Sequence, residues 1–483
     1  MRKYLLVFVA CLGSYAASAQ ADRQKMLASL DAKAPHYAAL AQKIWEYAEV
    51  GYQEVKSAAL LREDLQKEGF AVDSGMAGIP TAFVARYGSG KPVITLLAEY
   101  DALPGLAQEA VPVRKPIAGQ KAGHACGHHL LGTGAVAAAV AAAVAVKNWL
   151  KDGHQTGTIQ LVGTPAEEGG SGKVYLVREG IFKDTDVVLH WHPGDANSAN
   201  PSSSLANITG KFRFRGVAAH AAASPERGRS ALDAVEAMNY MVNMMREHIP
   251  SDARVHYIIT KGGEAPNVVP DFAEVYYYAR HKDRTVLQDI WKRIVKAAEG
   301  AALGTETRME VEIIGGVYNL LAVETLAELM YKNLNIVGGV MYDAAEKNFA
   351  EQLSGTFGAA FGSIPKPGSA GQVAPYAASG LLGSASTDVG DVSWVVPTAG
   401  MTAATWVPGT SAHSWQAVAA GGTSIGTKGM LVAAKTLALT AADLFTKPEL
   451  IGKSRGEWEK ARGESFRYEA LLGDRKPALD YRK

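Results

Sequence analysis

The order of apolar and polar residues predicts two kinds of region along this chain. Between residues 207 and 317 the periodicity predicts strand, helix, strand, strand, helix and strand in succession. These six elements are predicted at residues 208–214, 230–247, 255–260, 273–280, 286–301 and 308–314. This is the order of a ferredoxin-like βαββαβ unit. We therefore expect residues 207–317 to form a small domain with its own core.

The flanking regions contain short runs that are apolar throughout, each followed by a helical pattern. Residues 93–97 and 158–162 are the clearest of these runs. Such runs are typical of buried strands in an α/β domain with a largely parallel or mixed sheet. A chain of 483 residues is also long enough for two domains. We expect residues 20–206 and 318–483 to form one α/β domain into which the smaller unit is inserted.

Two apolar segments resemble membrane spans. Residues 130–150 are rich in alanine, and small side chains favour a helix packed closely in the core. At the start of the chain, Arg2 and Lys3 precede an apolar run that is too short to span a bilayer, and small residues follow as far as Ala19. That pattern is typical of a secretory signal peptide, residues 1–19, cleaved before Gln20. We expect a periplasmic or secreted protein without a membrane span.

Composition narrows the class of ligand. The formal net charge is +1, so the chain has no excess of basic residues for nucleic acid or an anionic membrane surface. We expect a small-molecule substrate. Without the predicted signal peptide, Cys126 is the single cysteine, so no intramolecular disulfide can form. The lone thiol requires another explanation, either as a small core residue or as a metal ligand.

The surroundings of Cys126 favour metal binding. The sequence reads GHACGHH at residues 123–129 and TPAEEGG at residues 164–170. Thiolate, imidazole and carboxylate are zinc ligands, and a second carboxylate is left to act as a base. Cys126 and His128 can reach one metal from a loop, whereas on a helix they would diverge. His124 and His128 would share a helix face, but the glycines at 123 and 127 argue against a helix there. For His129 we expect a packing or supporting role.

Glu167 and Glu168 follow the predicted strand at residues 158–162. Open α/β sheets bind ligands at this carboxyl edge. Adjacent side chains point in different directions, so one glutamate can bind metal while the other contacts an attacking water. A metal-independent amidase, with Cys126 as nucleophile and His128 as base, is an alternative. A binding protein that retains the fold without turnover is another.

Six motifs occur in the order seen in a known enzyme family. They lie at residues 98–105, 123–128, 164–170, 191–193, 219–225 and 409–415. Over nearly the whole mature length the chain therefore resembles the dinuclear-metal aminoacylase and carboxypeptidase family of amidohydrolases. An insert at residues 107–122 and the sequence STDVGDVSW at residues 386–394 make it most similar to the branch that hydrolyses p-aminobenzoyl-glutamate.

The resemblance implies roles for particular residues. It implies that a thiolate bridges two metal ions, which are held by Cys126, His128, Glu168, His192 and His413. It also implies that Glu167 is the base and that Asp101 orients the site. His190 is an alternative to His192, which we prefer because the triplet WHP at residues 191–193 suits this branch. Thiolate and imidazole favour zinc, with manganese or cobalt as alternatives.

The resemblance also implies a fold, an assembly and a reaction. The fold would be a zinc-peptidase-type α/β domain with an inserted dimerising lid, in a homodimer or paired with a related but different chain. In the lid, His220, Asn267 and Arg280 would reach substrate, and His220 would enter the neighbouring subunit's site. The reaction would be hydrolysis of p-aminobenzoyl-glutamate or of another N-acyl amino acid or dipeptide. The predicted signal peptide departs from the cytoplasmic location expected of this branch.

Overall fold

The computed structural model describes residues 23–151, 156–358, 364–378, 382–383 and 385–483. The predicted signal peptide at residues 1–19 lies outside these residues. A helical segment at residues 23–32 is followed by the helices α1 (Ala34–Tyr47), α2 (Val55–Lys67), α3 (His128–Lys151), α4 (Glu167–Gly170), α5 (Gly172–Arg178), α6 (Ala231–Met245), α7 (Arg284–Gly304), α8 (Glu324–Val337), α9 (Ala344–Ser354), α10 (Val389–Ser393), α11 (Trp415–Gly421), α12 (Ser424–Thr446) and α13 (Pro448–Arg462).

The strands belong to three sheets. In chain order they are β1 (Ala71–Ser74), β2 (Phe83–Ser89), β3 (Val93–Ala98), β4 (Leu103–Pro104), β5 (Ala122–Gly123), β6 (Gly157–Gly163), β7 (Val187–Gly194), β8 (Ala206–Arg215), β9 (Arg254–Lys261), β10 (Phe272–His281), β11 (Arg308–Val317) and β12 (Thr398–Ala404). The large sheet has the order β1-β2-β6-β3-β7-β12, and its members from β6 to β12 are parallel. The sheet is therefore mixed, as predicted.

Helices cover the large sheet and bury its central strands. Every residue of β3 and β6 is buried, as the apolar runs predicted. The long helices α3 and α12 lie side by side and pack on the sheet. Both are long and apolar enough to cross a membrane, but 89% and 78% of their most apolar windows are buried inside the fold. They are core helices, as predicted for residues 130–150.

A second, antiparallel sheet forms the inserted unit. Its strand order is β11-β8-β10-β9, and α6 and α7 pack together on it around a separate apolar core. The chain order β8, α6, β9, β10, α7, β11 is the βαββαβ order that the periodicity predicts. The side chain of Ser230 accepts a hydrogen bond from the amide of Asp233 and so caps α6 from outside the helix.

One local expectation differs from the structure. His128 is the first residue of α3, so only Cys126 lies on the loop where both were expected.

Irregular chain follows α13, which ends at Arg462. We call residues 464–483 the strap, because they contact both domains. The side chain of Arg475 lies 3.2 Å from Glu312 of the inserted sheet, and the hydroxyl of Tyr481 donates to the main chain of the larger α/β domain.

Candidate active site

The predicted site residues converge at the carboxyl edge of the large sheet. Asp101 follows β3, Glu167 and Glu168 follow β6, and His192 lies in the last residues of β7. His413 lies beyond β12, in the loop before α11. Parallel strands place their carboxyl ends at one edge, which explains why residues far apart in the chain meet here.

Cys126, His128 and His192 form one group of possible metal ligands, with their ligand atoms within 4.8 Å of one another. The Sγ atom of Cys126 lies 3.4 Å from Nε2 of His192. The Nδ1 atom of His192 donates to the carbonyl oxygen of Pro193 at 2.7 Å, so Nε2 keeps its lone pair facing the thiol.

A second group contains Cys126, Glu168 and His413, again with ligand atoms within 4.8 Å. The Nε2 atom of His413 lies 2.9 Å from Oε1 of Glu168. The amide of His413 donates to the carbonyl of Ala125 at 3.0 Å, which holds the two loops together. Because Cys126 belongs to both groups, its thiol is placed where a ligand could bridge two metal ions.

Asp101 connects the two groups although it belongs to neither. Its Oδ1 atom accepts from Nδ1 of His128 at 2.9 Å, and its Oδ2 atom accepts from the amide of Glu168 at 2.9 Å. Burial opposes the charged form of Asp101, but the charge and hydrogen bond of His128 outweigh it, so the pKa of Asp101 lies below its ordinary value. A buried carboxylate that accepts from a histidine fixes the orientation of that ring.

Glu167 belongs to a third group of possible metal ligands, together with His128 and Glu99. Burial, followed by the charges of Glu99 and Glu168, raises the pKa of Glu167 well above its ordinary value. A carboxylate in such surroundings holds a proton strongly once it has taken one.

Glu99 is a residue that the sequence interpretation did not select. Its Oε2 atom lies 3.1 Å from Nε2 of His128. The signal was present, because Glu99 follows a buried strand and stands two positions before Asp101, a spacing that places both on one side of extended chain.

A buried lysine continues this network. The Nζ atom of Lys173 lies 2.6 Å from Oε1 of Glu99 and 2.7 Å from Oδ1 of Asp388. Asp388 also accepts from the amide of Lys173 at 2.9 Å. All three side chains are buried. The interpretation missed Lys173, although a lysine in the otherwise apolar stretch of α5 was a visible signal.

The loop that carries the two glutamates has left-handed backbone at both ends. Ala166 has φ 57° and Ser171 has φ 56°. Glu54 accepts from the amide of Ala166 at 2.8 Å, and the hydroxyl of Tyr52 donates to the carbonyl of Gly170 at 2.7 Å. A strained conformation of this kind persists when surrounding contacts determine it.

The strap contacts the same loop from outside. The hydroxyl of Tyr481 donates to the carbonyl oxygen of Glu168 at 2.9 Å, and the guanidinium of Arg482 donates to the same oxygen at 3.1 Å. The rings of Tyr481 and Tyr52 meet edge to face, 5.6 Å apart.

The remaining histidines near the motif have other surroundings. His124 and His129 donate to the carbonyls of Ile44 and Gly421, each at 3.0 Å, and their rings lie 4.9 Å apart. These are packing contacts, in line with the role expected for His129. His190 belongs to none of the three groups found among the described residues. Burial lowers the pKa of His190 to about 4, so the ring is neutral.

The structure brings together the loops of two of the three lid residues. The loops of His220 and Asn267 meet, since the amide of Ala221 donates to the carbonyl of Asn267 at 3.0 Å, and both side chains are exposed. In the described part of the chain, no hydrogen bond or ion pair joins either side chain to the groups of possible metal ligands. The guanidinium of Arg280 lies 4.4 Å from the ring centre of Tyr278 on β10.

This combination of fold and site defines a class. A mixed α/β sheet whose edge gathers a thiol, imidazoles and carboxylates, with a βαββαβ lid inserted, is the architecture of zinc-peptidase-type amidohydrolases. Comparisons with known proteins give the family. Residues 206–306 match the family model described as a peptidase dimerisation domain.

Relatives cover most of the chain. It is 43% identical over 454 residues to the B-type subunit of p-aminobenzoyl-glutamate hydrolase from Escherichia coli (strain K12), with 89% of this chain and 94% of that protein covered. It is 30% identical to Xaa-Arg dipeptidase of Mus musculus, with 92% and 94% covered. The chain belongs to the M20 family of amide-hydrolysing enzymes, in the branch of the B-type subunit of p-aminobenzoyl-glutamate hydrolase.

Solved structures show the same fold. An aminobenzoyl-glutamate utilization protein from Klebsiella pneumoniae superposes with a TM-score of 0.60 at 19% identity, covering 86% of this chain and 97% of the other. A dinuclear metal binding peptidase of the M20 family from Bacillus subtilis gives 0.57 at 16% identity, covering 86% and 99%. These structures confirm the predicted fold class, and the relatives above confirm the predicted family and amide-hydrolysing activity.

Proposed function

We propose that the protein hydrolyses the amide bond of p-aminobenzoyl-glutamate or a closely similar N-acyl amino acid, using two divalent metal ions. The observation that carries this proposal is the position of the Cys126 thiol, which belongs to two ligand groups beside the carboxylate of Glu167. The proposed ligands are Cys126, His128, Glu168, His192 and His413. The 43% identity with the Escherichia coli hydrolase supports the choice of substrate.

The donor chemistry fits metal ions. His128 Nε2 and Glu99 Oε2 are buried and only 3.1 Å apart, yet neither forms an aligned hydrogen bond with a described residue. Buried polar atoms in native proteins normally have a partner, and a cation would provide one. Thiolate and imidazole donors favour zinc, whereas the carboxylates would also accept manganese or cobalt.

The same geometry disfavours the metal-independent amidase. Burial raises the pKa of the Cys126 thiol far above its ordinary value, which keeps an isolated thiol protonated. A cysteine nucleophile requires the opposite shift.

In the proposed mechanism each side chain has a separate task. When bound, the cations supply the Lewis acidity that makes water and the amide carbonyl reactive. Glu167 takes the proton from the attacking water and delivers it to the departing amine. Asp101 holds His128 and the Glu168 loop in place. His220 from a second copy of the chain would stabilise the developing oxyanion, and Asn267 and Arg280 would bind the substrate carboxylate.

Assembly and location complete the proposal. The matched dimerisation domain supports pairing through the lid, either with a second copy or with a related but different subunit. The side chains of His220 and Asn267 are exposed, as they must be to reach the active site of a neighbouring subunit. The N-terminal sequence supports export to the periplasm or outside the cell.

Chelation and one substitution test the proposal. Removal of metal should abolish release of p-aminobenzoate from p-aminobenzoyl-glutamate, and added zinc, manganese or cobalt should restore it. Glu167→Gln should keep the metal content, measured by elemental analysis, and lose turnover. Full activity after chelation, or near wild-type turnover by Glu167→Gln, would overturn the proposal.

The Xaa-Arg dipeptidase relative suggests a second candidate, hydrolysis of dipeptides that end in arginine. Assaying such dipeptides beside p-aminobenzoyl-glutamate separates the two candidates.

A further inference from the structure

The insert at residues 107–122 forms one wall of a cavity beside the proposed metal site. The cavity has a volume of about 550 Å³. The insert contributes Arg114, Ile117 and Lys121, and the opposite wall contains His413 and Trp415. His413 is a proposed metal ligand, so whatever occupies the cavity lies next to the reacting groups. Volumes of this size are typical of small-molecule sites.

The insert is fixed in shape. Its ends are joined by the antiparallel pair of β4 and β5. Inside the loop, the buried side chain of Gln108 donates to the carbonyl of Val113 at 2.8 Å and accepts from the amide of Lys115 at 2.8 Å. A loop held by its own hydrogen bonds presents its side chains at little entropic cost to binding.

The cavity wall carries positive charge without compensation. No aspartate or glutamate is among the described residues that line it. Arg114 and Lys121 are exposed, and neither side chain forms an ion pair with any described residue. Lys115, by contrast, is absent from the wall and lies 2.8 Å from Glu109. The two unpaired cations are therefore those that face the cavity.

We infer that Arg114 and Lys121 on this wall bind the side-chain carboxylate of the substrate's amino acid, so that these two residues determine the preference for an acidic over a neutral side chain. The inference rests on the proposed function and assigns its specificity-determining residues. Arg114 and Lys121 would bind the side-chain carboxylate through charge-assisted hydrogen bonds, while Ile117 and Trp415 pack on apolar parts of the substrate. The same cations would repel the guanidinium of a substrate that ends in arginine.

The test compares p-aminobenzoyl-glutamate with p-aminobenzoyl-glutamine, which has the same shape without the charge. The wild type should prefer the glutamate compound in kcat/KM. Arg114→Ala and Lys121→Ala should each lower kcat/KM for the glutamate compound by about 10- to 100-fold, mainly through KM, and leave the glutamine compound almost unchanged. Arg114→Glu should reverse the preference. Lys115→Ala, which removes the adjacent but paired cation, is the matched control and should keep the preference.

Calorimetry supplies a readout without turnover. In a Glu167→Gln background, the glutamate compound should bind more tightly than the glutamine compound, and Arg114→Ala should remove the difference. If the wild type hydrolyses both compounds equally well, or if Arg114→Ala weakens both equally, the inference is wrong while the proposed function stands. If the metal-loaded wild type hydrolyses neither compound, the proposed function fails and the inference fails with it.

Discussion

Asp101 accepts a hydrogen bond from the main-chain amide of Glu168, with 2.9 Å between Oδ2 and nitrogen. Its second oxygen accepts from Nδ1 of His128. One buried carboxylate therefore fixes a ligand at the start of α3 relative to a ligand on the loop after β6. Preorganisation of this kind determines whether two proposed ligands reach the same ion.

Asp101→Asn tests this relationship. Asparagine has the same shape, but it replaces one of the two acceptor oxygens by a donor that faces an N–H group. We expect metal affinity to fall by about 10- to 100-fold, because partners that orient metal ligands have effects of this size. Competition with a chromophoric chelator would measure the affinity. An unchanged affinity would show that His128 and Glu168 are held without Asp101.

Tyr481→Phe tests the contact of the strap with the Glu168 carbonyl. Loss of one hydrogen bond should cost about 0.5–1.5 kcal/mol, and kcat should fall several-fold because the loop that it holds carries the proposed base. Tyr468→Phe is the control, since its hydroxyl donates to Asp391 outside the loop. Equal effects of the two substitutions on kcat at saturating metal would argue against a positioning role for Tyr481.

The sequence predicts those site residues that lie close together in the chain better than those that lie far apart. Cys126 and His128 are two residues apart, so their types and spacing indicate metal chemistry without knowledge of the fold. Glu99, Lys173 and Asp388 lie far apart in the chain, and each of these residue types is usually a solvated surface group. Only the meeting of β3, α5 and the segment before α10 brings their charges together.

The fold, too, is predicted well where the signal is local. The apolar runs of β3 and β6 and the periodicity of residues 207–317 predict elements correctly, because the burial of a strand or helix leaves its pattern in neighbouring residues. The start of α3 at His128 was not predicted, since Gly127 appeared to continue the loop. Gly127 has φ 76°, and helix follows immediately after this left-handed residue. The strap was also missed, because its contacts are with distant parts of the chain.

Lys173→Met should destabilise the protein by about 3–5 kcal/mol. The substitution leaves Glu99 and Asp388 buried without their cation, and an uncompensated buried charge has a cost of this order. Lys91→Met is the control: Lys91 pairs with Asp186 at 2.8 Å with its side chain 66% exposed, and such pairs contribute at most about 1 kcal/mol. Urea unfolding at constant metal content would measure both. Similar losses for the two variants would contradict this prediction.

Asp391 should make stability depend on pH. Burial raises the pKa of Asp391 from 3.8 to about 7 in the folded protein. Between these values the folded carboxyl keeps a proton that the unfolded chain has released. The folded state then binds more protons, so the free energy of unfolding should fall as pH rises from about 4 to about 7. Asp391→Asn removes the titrating group, and urea unfolding at pH values of about 5 and 8 should show a smaller difference than in the wild type. An identical difference in the variant would contradict the assignment.

Gly172→Ala should inactivate the enzyme through the glutamate loop. A Cβ atom at Gly172 would lie 2.0 Å from the carbonyl oxygen of Pro165, so the main chain at one of these two residues would have to move. Both residues flank the loop of Glu167 and Glu168, whose backbone is already left-handed at its ends. We expect kcat/KM to fall at least 10-fold, with about 1–3 kcal/mol lost in stability from the overpacking.

Gly456→Ala is the matched control for this substitution. Gly456 lies in α13 with nothing within 4 Å of its added Cβ, so alanine should stabilise the helix by up to about 1 kcal/mol and leave kcat/KM unchanged. Wild-type turnover by Gly172→Ala would mean that the Pro165 carbonyl can shift without moving the two carboxylates. The base would then tolerate movement of its loop, and the hydrogen bonds that the loop forms with Glu54, Tyr52 and Tyr481 would be structural contacts alone.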